Sequence, residues 1–170
     1  MRLLAVSLTL LAATVSLSPM ALGKSSDRNQ PMDVQADNSD AIMADESDST
    51  LNGNVVITQG TLEIKADRAV IHRSKGDIDR VTLTGGPVVM KQVNDSGEPM
   101  NAQASTIVYT LSSDLIVLKG NVVIDQPRGS MRGENVKYDL KTGRLNGGGD
   151  GSRISMRILP KNKAAAEAKP

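Results

Sequence analysis

The chain has 170 residues, with 20 Lys plus Arg and 19 Asp plus Glu, so its formal net charge is only +1. It contains no Cys, Trp or Phe and two Tyr, and its apolar residues, 39% of the total, are mostly aliphatic. Such a chain lacks the basic surface and the stacking side chains of a nucleic-acid-binding protein. The length suits one domain, and the missing Cys excludes disulfides, thiol catalysis and zinc–thiolate sites.

The first 23 residues have the pattern of an export signal. Arg2 supplies the positive start, residues 3–17 are mainly apolar, and small residues lead to a cleavage site that we place after Gly23. An uncleaved membrane anchor is the alternative, but the apolar segment is shorter than the roughly 20 residues of a spanning helix. We therefore predict an exported protein that begins with a flexible lead-in over residues 24–30.

From Pro31 onward, apolar and polar residues alternate with a period of two, which indicates half-buried strands. The apolar positions of the four clearest segments are Met32, Val34 and Ala36; Leu62, Ile64 and Ala66; Val81 and Leu83; and Ile154, Met156 and Ile158. We predict an all-β domain over residues 31–160, built as a sandwich or roll of short antiparallel strands. A disordered tail follows over residues 161–170.

Turn-forming residues separate the predicted strands, because Gly and Asn tolerate the positive φ of tight turns. The predicted turns are Asn52-Gly53, Lys75-Gly76-Asp77, Gly85-Gly86-Pro87, Asp95-Ser96-Gly97, Lys141-Thr142-Gly143 and Gly147-Gly148-Gly149.

An internal repeat is the strongest pattern in the chain. Residues 51–59, LNGNVVITQ, recur as residues 118–126, LKGNVVIDQ, with seven of nine positions identical. Each copy is predicted to form strand, tight turn and strand, and stacked copies share one core. Such a stack has two open ends, which we assign to residues 32–36 and 154–159. Their unpaired backbone groups are templates for pairing with another chain, and the predicted assembly residues are Met32, Val34, Ala36, Ile154, Met156 and Ile158.

The sequence carries no catalytic constellation, metal-binding motif or cofactor-binding motif. His72 is the single histidine and is predicted to lie on the surface. The acidic residues between Asp37 and Asp48 do not have EF-hand spacing, so we predict a solvated face rather than a calcium site. What remains is an aliphatic β-scaffold, whose smooth apolar face suits alkyl chains. An acyl chain of about twelve carbons costs on the order of 10 kcal/mol to expose to water, so a carrier needs such a face.

Four segments together resemble the LptA family of lipopolysaccharide export proteins. They are QPMDVQAD at residues 30–37, LNGNVVITQGTLEIKAD at 51–67, ASTIVY at 104–109 and LKGN at 118–121. The resemblance implies an OstA-like β-jelly-roll, folded as an open V with an apolar interior and located in the periplasm. It also implies end-to-end self-association, with an LptC-like inner-membrane protein at one end and an LptD-like outer-membrane protein at the other.

The resemblance further implies a lipid-binding groove lined by Met32, Val34, Met90, Tyr109 and Leu111. The family often has an aromatic residue where Met90 stands. Ordinary core packing is the alternative role for each of these five residues, because inward-facing positions of a β-roll are apolar in either case.

Three other functions are weighed against the lipid carrier. A structural β-roll module would have a dry, filled core and retain no lipid. A periplasmic hydrolase would need a nucleophile–base pair, which the sequence lacks. A fragment of LptC or LptD is disfavoured, because the former keeps an N-terminal membrane helix and the latter carries a large barrel.

Overall fold

A computed structural model describes residues 27–94, 96–149 and 151–160, so the predicted export signal and C-terminal tail lie outside the described residues. Asp27–Asn29, within the predicted lead-in, forms one turn of 3-10 helix. Everything else with regular structure is β. The strands are β1 (Met32–Gln35), β2 (Asn38–Asp40), β3 (Ser47–Gln59), β4 (Leu62–Ser74), β5 (Asp77–Val93), β6 (Pro99–Thr110), β7 (Leu115–Gln126), β8 (Gly129–Asp139), β9 (Arg144–Gly147) and β10 (Ser155–Ile158).

All ten strands belong to one antiparallel sheet, which does not close on itself. The order is β1-β3-β4-β5-β6-β7-β8-β10. β2 pairs with a different part of β3 than β1 does, and β9 pairs with a different part of β8 than β10 does. The predicted fold class, an open all-β roll with terminal edge strands, is confirmed. Within the described ranges, no helix is long and apolar enough to cross a membrane.

The six strands β3 to β8 have 11 to 17 residues and are longer than the short strands predicted. The prediction of a tight turn at Asn52-Gly53 is wrong, because both residues lie inside β3. Gly53 and Asn54 do adopt positive φ, 79° and 44°, but they form a bulge, at which the register to β4 shifts between Asn52 and Val55. Gly120 and Asn121 have the same conformation at the same point of the second repeat. A bulge bends its strand without ending it.

The predicted turn at Gly85-Gly86-Pro87 is also wrong, since it lies in the middle of β5. The pairing of β5 with β6 skips from Thr84 to Val88, so Pro87 stands where no ladder hydrogen bond is required of its nitrogen. By contrast, the predicted turns at Lys75-Gly76 and at residues 141–143 do connect strands.

Apart from a second shift at His72/Arg73, the register shifts of neighbouring strands lie side by side and bend the whole sheet along one line. We call the two sides of this line the first arm and the second arm. The first arm contains β1, residues 55–59, 62–66, 88–93, 99–104, 122–126 and 129–133, and β10. The second arm contains β2, residues 47–52, 68–74, 77–84, 106–110, 115–119 and 135–139, and β9.

The apolar faces of the two arms form a single hydrophobic core. Ile64, Val88 and Met90 of the first arm and Leu83 and Ile107 of the second are all fully buried. The period-two alternation of the sequence produces this core, because it directs every second side chain to the inner face.

Candidate functional site

One apolar row crosses the inner face of the first arm from edge to edge. Its members are Cα partners in consecutive strand pairs: Val34, Ile57, Ile64, Met90, Ala102, Ile124, Met131 and Met156. The row therefore joins two predicted groove residues, Val34 and Met90, to the predicted edge residue Met156. An extended apolar surface of this kind is a property of the whole sheet, not of a local pocket.

On one side of that row, the outer face is polar at every strand, whereas the outer row on the other side includes Val56, Val89 and Val123. On the polar side, the residues one position away along each strand are Asp33, Thr58, Glu63, Lys91, Asn101, Asp125, Ser130 and Arg157. The inner face is therefore continuously apolar from edge to edge, and the outer face is not.

The middle of the interior is tightly closed. Met90 is 0% exposed and Tyr109 is 2% exposed, because the opposite arm covers each of them. The Tyr109 hydroxyl, in the second arm, donates a 3.1 Å hydrogen bond to Gln59 Oε1 in the first. Burial, together with the nearby Asp114 carboxylate, raises the pKa of Tyr109 to about 12. Two of the five predicted groove residues thus lie in the core of this closed form.

The remaining predicted groove residues lie at the margins of the interior. Met32 is half-buried and faces Gln59, the residue that holds Tyr109, so these three residues meet at one place. Leu111 follows β6, packs against the core, and donates its N–H to Asp79 O. The five residues therefore do not form one local cluster, because Val34 and Met90 lie on the row of the first arm and Tyr109 and Leu111 belong to the second arm.

A polar seam joins the open sides of the two arms. Asp27, which is buried, accepts hydrogen bonds from the backbone N–H and the hydroxyl of Thr61 in the β3–β4 turn. The next residue, Arg28, forms a 2.9 Å ion pair with Asp114 in the β6–β7 turn of the second arm. The 3-10 helix therefore connects the arms where they separate.

Gln59 completes this seam, because its amide group donates to Arg28 O and Gln30 O while accepting from Tyr109. Gln59 is not among the functional residues predicted from the sequence. The available signal was its recurrence as Gln126 at the end of the second repeat.

Two cavities lie along the interior. One, of about 200 Å³, opens between the two arms and is lined by Gln92 of the first and Tyr138 of the second, among others. Gln92 is buried, and its Oε1 has no partner within the part of the chain that the structure describes. The other, of about 150 Å³, lies beneath β10 and is lined by Met131, Met156 and Ile158 among others. The interior thus has open volume near the C-terminal edge and between the arms near Gln92.

The apolar inner face is less buried at the two edges of the sheet than in its middle. Met156 is 61% exposed and Ile158 is 77% exposed, whereas Ile154 is half-buried and packs against the core. At the other edge, Met32, Val34 and Ala36 are half-buried and face the core. All six predicted assembly residues therefore lie on the inner face at the two ends of the sheet.

His72 and the acidic residues between Asp37 and Asp48 make ordinary surface contacts. His72 Nδ1 lies 2.7 Å from Asp48 Oδ1 on the surface. Hydrogen bonds from the Lys75 backbone N–H and the Ser74 hydroxyl lower the pKa of exposed Glu46. Across the described ranges, no group of three or more His, Asp or Glu is arranged to hold a metal ion.

A family model described as "LptA/(LptD N-terminal domain) LPS transport protein" matches residues 33–144. This span begins in β1 and ends at the start of β9, so it includes both arms. The chain belongs to this family. The resemblance noted from the sequence is confirmed.

Curated relatives agree with the family assignment over nearly the full chain. The lipopolysaccharide export system protein LptA of Haemophilus influenzae is 32% identical over 173 residues, covering 99% of this chain and 100% of that protein. LptA of Escherichia coli K12 is 29% identical, covering 92% and 86%. The lipopolysaccharide export system protein LptH of Pseudomonas aeruginosa is 32% identical, covering 86% and 89%.

A solved structure of the family has the same fold. The crystal structure of LptH from Pseudomonas aeruginosa, described as the LptA-homologous periplasmic component of the lipopolysaccharide transport device, matches with a TM-score of 0.71 at 27% identity. The match covers 79% of this chain and 99% of LptH. The relatives are transport proteins by name, which fits the prediction that this family member is not an enzyme.

Proposed function

We propose that this protein binds lipopolysaccharide in the periplasm and carries it between the inner and outer membranes, with the acyl chains sheltered between the two arms. The observation that carries this proposal is the apolar row that crosses the first arm from Val34 to Met156. It reaches both edges of the sheet, so a neighbouring protein can continue it at either end. The names of the relatives, which are lipopolysaccharide export proteins, identify the class of lipid.

The energetic requirement of such a carrier agrees with this arrangement. Each methylene group removed from water contributes about 0.8 kcal/mol, so several acyl chains together require an apolar surface along their entire path. Ile64, Met90 and Ile124 in the middle of the row supply that surface, but they are covered by the second arm. Binding therefore requires the arms to separate, and the seam around Gln59 is where they do so.

The partners of this carrier are an LptC-like protein at one end, an LptD-like protein at the other and further copies of the chain between them. Support comes from β1 and β10, each of which is paired on one side only within the described residues. Export with cleavage after Gly23 delivers the chain to the periplasm. No step of the proposed function needs a cofactor or a bond-breaking residue, since the carrier does no covalent chemistry.

Photo-crosslinking in cells tests the proposal, with a photoreactive amino acid at Val34 and a matched control at Asp33. The two positions are neighbours on β1, but Val34 faces the interior and Asp33 faces outward. We expect a lipopolysaccharide adduct at Val34 and none at Asp33. Equal labelling at both positions, or no lipid adduct at either in folded and exported protein, would refute an interior lipid path.

A structural β-roll with a filled core is the second candidate function. The complete burial of Met90 and the near-complete burial of Tyr109 favour it. It predicts that the purified protein retains no lipid and that its interior stays closed when lipopolysaccharide is added.

A further inference from the structure

A short sequence that ends in glutamine occurs three times in the chain. It reads VVITQ at residues 55–59, VVMKQ at 88–92 and VVIDQ at 122–126. Each of these glutamines lies in the first arm, at or next to the last residue of its strand. Each also follows a buried apolar residue by two positions, so the alternation of the strand directs it to the inner face.

The first two of these glutamines differ in their hydrogen-bond partners. The Gln59 amide donates to two backbone carbonyls and accepts from the Tyr109 hydroxyl, so it holds the seam together. Gln92 is buried to the same degree, 7% exposed against 8% for Gln59. Its Oε1 nevertheless has no hydrogen-bond partner within the part of the chain that the structure describes. Folded proteins rarely leave a buried amide oxygen in this state, because nothing replaces the water that it has lost.

Gln92 lines the cavity of about 200 Å³ between the arms, and the chemistry of that cavity indicates its ligand. None of the described side chains that line it is charged, so it lacks the partner that a phosphate or an ammonium group needs. A neutral hydroxyl group can both donate and accept, which matches a lining of amides, hydroxyls and a phenol ring. These polar side chains are Gln92, Asn94, Ser96, Gln126, Tyr138 and Thr142.

The size and the position of the cavity fit one part of a larger ligand. Pockets that hold a whole drug-sized ligand have volumes of about 300–1,000 Å³, so this cavity has room for a single ring. It lies beside the seam along the open sides of the arms, toward β10, between the β5–β6 turn and the β8–β9 turn. Met90, which belongs to the apolar row, is two residues from Gln92 on the same face of β5.

We propose that this cavity binds a sugar ring of a glycolipid, with a ring hydroxyl donating to Gln92 Oε1 and the acyl chains on the apolar row beneath it. This inference rests on the proposed function and adds the site that recognises the polar part of the lipid. The apolar row contributes affinity for any alkyl chain, because burial of apolar surface is not directional. The buried acceptor favours a ligand that carries a hydroxyl donor, because any other ligand leaves it unpaired.

Equilibrium binding to the immobilised full chain tests the site with two probes, dispersed lipopolysaccharide and hexadecanoate, which has an acyl chain but no sugar. Gln92→Met keeps an unbranched side chain of similar length and removes the acceptor. We expect it to weaken lipopolysaccharide binding by about tenfold and to leave hexadecanoate binding unchanged. The matched control is Gln103→Met, the same change at an exposed residue of β6, which should affect neither probe.

Two results of this experiment would overturn the sugar site while leaving the proposed function intact. They are unchanged lipopolysaccharide affinity in Gln92→Met, and an equal loss of affinity for both probes. If the unsubstituted chain does not bind lipopolysaccharide at all, the proposed function fails, and this inference fails with it.

Urea unfolding and a free sugar complete the test. Gln92→Met should not lower the midpoint of unfolding, because the amide oxygen that it removes has no partner in the fold. A clear drop in the midpoint with lipopolysaccharide affinity unchanged would show that the Gln92 amide serves the fold alone. Glucose should not bind at concentrations at which lipopolysaccharide saturates the chain. Glucose binding that depends on Gln92, without an effect of Gln92→Met on lipopolysaccharide, would overturn the assignment to a lipid.

Discussion

Met90 and Met156 lie on the same apolar row of the first arm, yet one is fully buried and the other is 61% exposed. The side chains are identical, and the difference comes from their surroundings. Met90 has a strand on each side and the second arm above it, whereas Met156 stands on the last strand of the sheet. Met156 thus points to the same face as Met90, and it is exposed because it lacks the neighbouring strand and the covering arm that bury Met90. In the proposed function, a protein that binds at this edge would supply that neighbour.

The largest contrast is expected in stability. Met90→Ala leaves a cavity in a closed core and should lower the free energy of unfolding by about 3 kcal/mol. Met156→Ala, in the dilute monomer, should change it by less than about 0.5 kcal/mol. Urea unfolding at a concentration too low for assembly measures both. Similar losses for the two variants would show that the edge is already covered in the monomer.

The bend that separates the arms can be tested at Gly120, with Gly143 in the β8–β9 turn as the control. Gly120 and Gly143 both have positive φ, 76° and 66°. A Cβ on Gly120 would collide with the Ser105 side chain, but one on Gly143 would meet nothing within 4 Å. We expect Gly120→Ala to cost about 2 kcal/mol and Gly143→Ala about 1 kcal/mol in thermal or urea unfolding. Equal costs would mean that only backbone conformation matters at the bend.

The seam should contribute the smallest effect, with a distinct pH dependence. Tyr109→Phe removes the hydroxyl that bonds Gln59 and should cost about 1 kcal/mol at neutral pH. Because burial raises the pKa of Tyr109 from 10.0 to about 12, the folded protein holds a proton that the unfolded chain has lost. This contribution is complete below pH 10 and disappears as the pH rises toward 12.

The difference in unfolding free energy between the natural chain and Tyr109→Phe should therefore shrink between pH 10 and 12. Urea unfolding of both proteins at several pH values across this range measures it. A constant difference would show that Tyr109 titrates alike in the folded and unfolded states, contrary to its burial in the seam.

Local patterns predict the inner face of this protein well. Alternation at Leu62, Ile64 and Ala66 places all three in the core, where the structure has them. The same patterns fail at Gly53 and Gly85, because a residue tolerant of unusual backbone conformations serves a turn or a bulge equally well. Only the register of the neighbouring strands separates the two, and register is a property of distant pairs.

Local sequence patterns also do not predict that the two arms close on each other. Tyr109 and Gln59 are 50 residues apart, and no periodicity connects them. Val34, Met90 and Tyr109 lie on three different strands, and the sequence predicts that all three face inward. It does not distinguish the uncovered margin from the closed middle, because that depends on which strands are neighbours.

The most direct test of the account is a photoreactive residue at Met90, with Lys91 as the outward-facing control on the same strand. Purified protein would be mixed with lipopolysaccharide and irradiated. We predict a lipid adduct at Met90 and none at Lys91, because the arms must separate to admit acyl chains along the row. Lipid adducts at Val34 and Met156 with none at Met90 would contradict the account and leave a filled core with apolar edges.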